Sequence, residues 1–133
     1  ENLKYWFRGV EKFAPWVNNV YFVTCGHYPE WLNLEHPKLR FVKHEDFIPK
    51  ECLPTFSSRP IDMNLHRIEE LSEHFVYFND DMFPIRPMPE TAFFRDGQRR
   101  TFSEMESRVT CYANIRWDFP EKPMYFHIRW STT

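Results

Sequence analysis

The chain has 133 residues, a formal net charge of −2, and contents of 42% hydrophobic and 19% aromatic residues. This length fits one domain with a single core, and the apolar content excludes a disordered segment. The small net charge excludes a general attraction to nucleic acid. No apolar run approaches the roughly 20 residues that cross a bilayer, so no transmembrane segment is expected and only a peripheral membrane association stays open.

The chain opens with a predicted helix. Leu3, Phe7 and Val10 recur at helical spacing, which predicts an amphipathic helix over residues 2–14 that Pro15 ends. The sequence does not begin with Met and enters this pattern at once, so we expect a piece of a larger catalytic domain.

The apolar run over residues 20–24 predicts a buried strand, and residues 39–44, which contain Leu39, Phe41 and Val42, predict another strand. Gly26 follows the first run and permits a tight exit turn close to a ligand. Between the two strands, residues 29–34 predict a short helical turn. A strand that leads through a turn into a second strand is the beginning of an α/β order.

The middle of the chain predicts a loop, a helix and a third strand. Three prolines indicate an ordered loop over residues 45–60, followed by a helix over residues 60–72. The apolar stripe of this helix is predicted to be Ile61, Leu65, Ile68 and Leu71. The strand over 75–79 follows at once, and the whole order predicts an α/β fold with a mostly parallel sheet flanked by helices.

The last part of the chain gives a weaker pattern. Residues 90–94 predict a short helix, and residues 95–133 mix charges, aromatic residues and prolines without a period. We therefore expect one domain, with an α/β segment over 1–94 and an irregular tail over 95–133.

The strand over 75–79 ends in Asn79, Asp80 and Asp81. In open α/β sheets, ligands bind at the carboxyl ends of the strands. Adjacent carboxylates repel each other unless a cation lies between them, and such hard oxygen ligands suit Mg²⁺ or Mn²⁺. These acids therefore indicate a metal-assisted site for a phosphorylated substrate, with the Asn79 amide orienting the ligand. The same three residues are also typical of a turn or a helix cap, so the local pattern leaves both interpretations open.

Polar residues of the predicted helix are candidates for the same site. His66 lies at the edge of the apolar stripe, whereas Asn64 and Arg67 lie mainly off it. Arginine binds phosphate through its planar fork, and histidine transfers protons near neutral pH. By spacing alone, a partly buried histidine and a surface arginine are the simpler explanation of the pattern.

The loop that precedes this helix carries Ser57, Ser58 and Arg59. Hydroxyls and a guanidinium before a helix can bind a phosphate group, and serines at this position also serve as N-caps. The sequence is compatible with both roles.

A series of blocks extends from the first residues to about residue 94. The blocks are, in chain order, Leu3-Lys4-Tyr5, Glu11-Lys12-Phe13-Ala14-Pro15-Trp16, Val20-Tyr21-Phe22-Val23-Thr24, Pro29-Glu30-Trp31-Leu32-Asn33, Leu53-Pro54-Thr55-Phe56-Ser57-Ser58, Asn64-Leu65-His66-Arg67-Ile68, and Leu71 through Phe83. This series resembles the second conserved region of the Stealth family, which includes bacterial capsular polysaccharide phosphotransferases and the catalytic subunit of the lysosomal-enzyme N-acetylglucosamine-1-phosphotransferase.

The resemblance implies a nucleotide-sugar-transferase-like core that transfers sugar-1-phosphate from a nucleotide sugar to a hydroxyl of a sugar or polysaccharide acceptor. It implies metal dependence, with Asp80 and Asp81 in the family's Asn-Asp-Asp block and His66 and Arg67 in its His-Arg block. From these positions we hypothesise that Asp80 and Asp81 hold Mg²⁺ or Mn²⁺ against the diphosphate. In the same hypothesis, Arg67 neutralises charge on the transferred phosphoryl group, and His66 is the candidate base for the acceptor hydroxyl. A metal-dependent glycosyltransferase, or a non-catalytic module that binds a carbohydrate or a partner chain, remains the alternative.

Three cysteines, Cys25, Cys52 and Cys111, form no CxxC pair and no spacing typical of a metal site. An odd number of widely spaced cysteines favours reduced thiols over a disulfide scaffold. Together with the resemblance, this favours a bacterial cytoplasmic location, including the inner face of the membrane, over the Golgi lumen.

Overall fold

The computed structural model describes residues 2–78, 82–95, 98–99, 110–113 and 125–129. Within these residues, the α-helices are α1 (Leu3–Phe13), α2 (His44–Phe47) and α3 (Ser58–Asn64), and 3₁₀ turns lie at Lys50–Cys52, Leu65–Arg67 and Glu90–Ala92. The strands there are β1 (Asn19–Thr24), β2 (Leu39–Lys43), β3 (His74–Phe78), β4 (Phe94–Arg95), β5 (Gln98–Arg99), β6 (Thr110–Ala113) and β7 (Tyr125–Arg129).

The main sheet has the strand order β2-β1-β7-β3-β6. Strands β2, β1, β7 and β3 pair in parallel, and β6 pairs antiparallel with β3. Strands β4 and β5 form a separate antiparallel pair. The predicted α/β class with a mostly parallel sheet is confirmed.

One face of the sheet packs against α1. Successive strand side chains point to opposite faces, so Val20 and Phe22 of β1 share this face with Val76 and Phe78 of β3. They join the buried side chains Leu3, Trp6 and Val10 of α1 in one apolar cluster. The amphipathic pattern that predicts α1 is thus the pattern that covers this face.

The opposite face packs against α3 and the residues that follow it. Tyr21 and Val23 of β1 and Phe75 and Tyr77 of β3 are buried there. The helix side of this cluster consists of the predicted stripe, Ile61, Leu65, Ile68 and Leu71. The stripe is confirmed, so both faces of the sheet are covered.

The predicted bounds of this helix are wrong. The α-helix covers Ser58–Asn64 and tightens into the 3₁₀ turn Leu65–Arg67, after which Ile68 has an extended backbone. A further turn closes from the Leu71 amide to the Ile68 carbonyl at 3.1 Å. The successive turns still pack their apolar side chains against the sheet. Apolar residues at helical spacing therefore do not require one continuous helix.

The predicted irregular loop over 45–60 is also wrong in part. It contains α2 and the 3₁₀ turn Lys50–Cys52. The side chain of Asp46 accepts a hydrogen bond from the Lys43 backbone amide at 2.7 Å, which stabilises the start of α2. Prolines therefore separate short helical pieces here rather than preventing them.

The turn predicted over residues 29–34 is present as a single hydrogen-bonded turn, in which the Leu32 amide bonds to the Pro29 carbonyl at 2.9 Å. The short helix predicted over residues 90–94 is wrong in length. In residues 90–94, a 3₁₀ turn ends at Ala92, and Phe94 begins β4.

The segment after residue 94 contributes two strands to the main sheet, where the sequence predicts irregular structure. Strand β7 lies between β1 and β3, with Val20 beside Phe126 and Val76 also beside Phe126. The segment is therefore integral to the sheet. The division at residue 94 stays a prediction.

Gly9 of α1 lies close to the backbone of Pro84. A Cβ atom built on Gly9 would lie 2.7 Å from the backbone carbonyl oxygen of Pro84. In a helix, alanine is more favourable than glycine by about 1 kcal/mol. Overpacking costs about 1–3 kcal/mol, and this cost applies here because a backbone oxygen, unlike a side chain, cannot rotate away.

We expect Gly9→Ala to lower the free energy of unfolding, as measured by urea denaturation. The exposed neighbour Arg8→Ala is the matched control in the same helix and should be close to neutral. An increase in stability for Gly9→Ala would show that α1 does not contact the Pro84 segment this closely.

Candidate functional site

The carboxyl ends of four parallel strands meet at one edge of the sheet. Thr24, Lys43, Phe78 and Arg129 are the last residues of β1, β2, β3 and β7. Polar groups at such an edge are the usual ligand-binding arrangement of open α/β domains.

The predicted acidic residues follow, in the sequence, a strand that ends at this edge. Phe78 ends β3, and Asn79, Asp80 and Asp81 follow it directly in the sequence. All three lie outside the described residues. Their predicted role as ligands of a metal and of the substrate therefore stays a prediction.

The exit turn of β1 is the best-defined element at this edge. The buried hydroxyl of Thr24 donates to the carbonyl of His27 at 2.8 Å and accepts from the amide of Gly26 at 2.9 Å. Gly26 has φ +119°, a left-handed conformation that disfavours other residues. The predicted tight turn is therefore present, and its geometry is fixed by a threonine hydroxyl.

The same turn brings a thiol and an imidazole together. Cys25 Sγ lies 3.1 Å from His27 Nδ1, and Cys25 is exposed. The sequence alone does not assign Thr24, Cys25 or His27 to the site. The signal that could have found them is polar residues directly after a buried strand, the pattern that singles out Asp80.

The loop before α3 is confirmed as a cap. Ser57 Oγ accepts a hydrogen bond from the Arg59 amide at 3.4 Å, and Thr55 Oγ1 lies 3.3 Å from both the amide and the carbonyl oxygen of Ser57. Ser57 and Arg59 are exposed, and Ser58 is half-buried. A serine that caps a helix through one lone pair retains hydrogen-bonding capacity, so this role does not exclude a contact with phosphate.

The remaining predicted site residues lie further along the same segment. Asn64 Nδ2 donates to the Pro60 carbonyl at 2.8 Å, so part of this amide serves the helix. His66 and Arg67 are exposed, and neither side chain has a hydrogen-bonding or ionic partner within the part of the chain that the structure describes.

The chain direction orders these residues relative to the sheet. α3 lies in the connection that leaves the carboxyl end of β2 and returns to the amino end of β3, and Ser57–Arg59 precede His66 and Arg67 along it. Shortly after Arg67, Glu70 accepts a hydrogen bond from Tyr21 Oη at its carbonyl (2.7 Å) and pairs with Arg40 at 3.5 Å. The predicted meeting of His66 and Arg67 with the acids across one cleft stays a prediction.

Among the described residues, no group of three or more His, Cys, Asp or Glu side chains could hold a metal ion. Asp80 and Asp81, the predicted metal ligands, lie outside those residues, so their role stays a prediction. Separately, no helix within the described ranges is both long and apolar enough to cross a membrane.

Comparison with known proteins gives the family. A profile described as Stealth protein CR2, conserved region 2, matches residues 1–102. The chain belongs to the Stealth family, as its sequence blocks predict.

Individual relatives carry informative names. A capsular polysaccharide phosphotransferase, WcwK of Streptococcus pneumoniae, is 60% identical over 100 residues, which cover 75% of this chain and 30% of that protein. The capsular polysaccharide phosphotransferase eps5J of Streptococcus thermophilus is 52% identical over 105 residues, 79% of this chain and 44% of that protein. The receptor polysaccharide phosphotransferase WefC of Streptococcus oralis is 56% identical over 93 residues, 70% of this chain and 28% of that protein. The chain thus spans less than half the length of each of these relatives.

Proposed function

We propose that this chain forms part of an enzyme of capsular polysaccharide synthesis that transfers sugar-1-phosphate from a nucleotide sugar to a hydroxyl of a sugar acceptor. The observation that carries the proposal is the 52–60% identity to proteins named capsular polysaccharide phosphotransferases. The parallel sheet supports it, because β3 ends at the carboxyl edge with Phe78 and the sequence continues with Asn79, Asp80 and Asp81.

The acidic pair suits a hard divalent cation. Asp80 and Asp81 offer carboxylate oxygens and Asn79 an amide oxygen, the donor types that Mg²⁺ and Mn²⁺ prefer. When bound there, the ion supplies charge neutralisation for the donor diphosphate. The residues of the chain hold the ion and orient the donor.

The exposed basic residues supply the rest of the phosphate chemistry. In this proposal, Arg67 binds the transferred phosphoryl group through its guanidinium, and His66 accepts the proton of the acceptor hydroxyl. Both side chains are exposed and without a partner among the described residues, as such roles require in the absence of substrate. Phosphoryl transfer depends mostly on positioning and charge stabilisation, which this set provides.

The donor is held by the polar residues around α3. Ser57, Ser58 and Arg59 contact the nucleotide sugar from the loop, with Asn64 further along the helix. Ser57 and Arg59 are exposed, and they precede Asn64 in the connection that starts at the carboxyl end of β2, which supports a contact with the diphosphate.

We place the enzyme in the bacterial cytoplasm, including the inner face of the membrane. Cys25 and Cys52 are both exposed and free, as is typical of a reducing compartment.

The products distinguish the reaction classes. We expect the full-length protein, given a nucleotide sugar, Mg²⁺ and an oligosaccharide acceptor, to release a nucleoside monophosphate and form a phosphodiester. Release of the nucleoside diphosphate would identify a glycosyltransferase instead. Absence of any donor turnover with every nucleotide sugar tested would favour a binding module.

A further inference from the structure

A cavity of about 390 Å³ lies between α1 and the loop that joins β1 to β2. Its floor is apolar and includes Val10, Ala14, Val17, Val20 and Leu39. Small-molecule sites typically have volumes of about 300–1,000 Å³ and an apolar lining with a few polar groups. The cavity therefore has the size and floor of a ligand site.

The mouth of the cavity is polar and carries both signs of charge. Glu11, Asn33, His36 and Lys38 line it, and all four are exposed. Lys38 Nζ donates to the Val17 carbonyl at 2.9 Å, which uses one of its three hydrogens. Carboxylate, amide, imidazole and ammonium groups around one mouth can bond to several hydroxyls of a neutral ligand.

An exposed indole completes the wall. Trp31 lines the cavity, and its ring centroid lies 6.3 Å from that of Phe7, nearly perpendicular to it. The ammonium of Lys4 lies 5.2 Å from the centre of the Trp31 ring, and the tryptophan remains 39% exposed. A pyranose has C–H faces that pack on such a ring and hydroxyls at its edge, so this combination of groups favours a sugar over a purely apolar ligand.

The position of the cavity excludes the reacting sugar as its occupant. Val17 and Lys38 precede β1 and β2, so the cavity lies at the amino end of these strands. The carboxyl edge is one strand length away, roughly 16 Å for the six residues of β1. If the end of a polysaccharide reacts at the carboxyl edge, only a sugar unit several sugars away from that end can reach the cavity.

The loop between β1 and β2 provides a path between the two places. It leaves the carboxyl end of β1 and returns to the amino end of β2, with exposed Tyr28 near its start and Trp31 further along. Tyr28 packs edge-on against Phe41 of β2 at 5.3 Å. Exposed aromatic residues thus follow the loop from the candidate site to the cavity.

We propose that this cavity, with Trp31 as its stacking residue, binds a distal sugar unit of the acceptor polysaccharide. The inference rests on the proposed function, because it requires a carbohydrate acceptor that reacts at the carboxyl edge. Binding at the cavity makes the affinity for the acceptor depend on the length of the acceptor polysaccharide. The residues responsible for this dependence are then remote from Asp80 and Asp81.

The test uses the full-length enzyme and acceptor fragments from a monosaccharide to an octasaccharide. For the wild type, KM for the acceptor should fall once the fragment is long enough to reach the cavity. Trp31→Ala should raise KM about tenfold for long fragments only, with kcat, donor KM and the monosaccharide reaction unchanged, and Trp31→Phe should restore most of the affinity. The matched control is Tyr5→Ala, an exposed aromatic residue of α1 outside the cavity.

The outcomes separate this inference from the proposed function. The distal sugar site is overturned if the wild-type enzyme transfers sugar phosphate with an acceptor KM that does not depend on acceptor length. It is also overturned if the KM of Trp31→Ala depends on acceptor length in the same way as that of the wild type. Either result leaves the proposed transferase activity intact. A Trp31→Ala protein that loses its folded structure while Glu11→Gln keeps the wild-type length dependence shows that the cavity packs against another segment, and this too overturns the inference. Absence of sugar-phosphate transfer by the wild type refutes the proposed function itself.

Discussion

Replacement of Asp81 by alanine in the full-length enzyme is expected to reduce kcat by about 10³-fold or more, with little change in stability. In the proposed site, the carboxylate holds the divalent ion against the donor diphosphate, and the charge that develops during phosphoryl transfer would lose its main compensation. Asp80→Ala should have an effect of the same order. Steady-state release of nucleoside monophosphate measures the loss.

The matched control for this prediction is Glu73→Gln. Glu73 directly precedes β3, so it lies at the amino end of the strand whose carboxyl end leads to Asp80. Removal of its charge should leave kcat within about twofold, because an acid at the opposite edge of the sheet is screened from the site. Near-normal turnover of Asp81→Ala would refute the metal assignment, and equal losses in both variants would show a general effect of charge.

Replacement of His66 by glutamine is expected to reduce kcat about 10²–10⁴-fold and to remove one limb of the pH–rate profile. Glutamine retains a polar side chain but cannot accept the proton of the acceptor hydroxyl at neutral pH. The histidine is exposed, so its replacement should not disturb the apolar cluster under α3. The profile of kcat against pH is the decisive measurement, because a structural role would lower activity equally at every pH.

Glu69→Gln is the control for His66, since Glu69 is an exposed residue of the same connection. It should retain both the wild-type rate and the shape of the profile. If His66→Gln also kept that shape, another group would be the base. His27, in the exit turn of β1 at the carboxyl edge, would then be the next residue to replace.

The sequence predicts the buried parts of the fold well. β1 and β3 appear as short apolar runs because both faces of these strands are buried, whereas the half-buried β2 is recognised by Phe41 and Val42 between basic residues. α1 appears through the spacing of its buried side chains, of which Trp6 is the largest. Burial of this kind leaves a local signal, and the bounds of these elements are correct within about one residue.

Other parts of the fold leave no such signal. β7 has five residues, includes His127 and Arg129, and pairs with strands that lie far back in the chain. Its place depends on non-local pairing rather than on its own composition. In the α3 segment, the apolar residues keep helical spacing after Asn64, although the α-helix ends there and separate turns follow. Their spacing therefore does not indicate where the helix ends.

The candidate site shows the same division. The cap at Ser57 is predictable because it is a local interaction between neighbouring residues. The Thr24 hydroxyl network depends on the exact backbone of a turn, and the cavity beside Trp31 depends on the packing of α1 against a distant loop. The spacing of residues in the sequence does not determine distances between segments that are far apart in the chain. The sequence therefore identifies residues with suitable chemistry better than it identifies which residues lie next to each other.

The central claim is that the acids after β3 hold a divalent ion beside a donor diphosphate at the carboxyl edge of the sheet. A crystal of the full-length enzyme with Mn²⁺ and the nucleotide sugar tests it most directly through the anomalous signal of manganese. We predict a manganese peak within coordination distance of an Asp80 or Asp81 carboxylate oxygen and of the diphosphate. A peak bound elsewhere, or a donor seated away from this edge, would contradict the account.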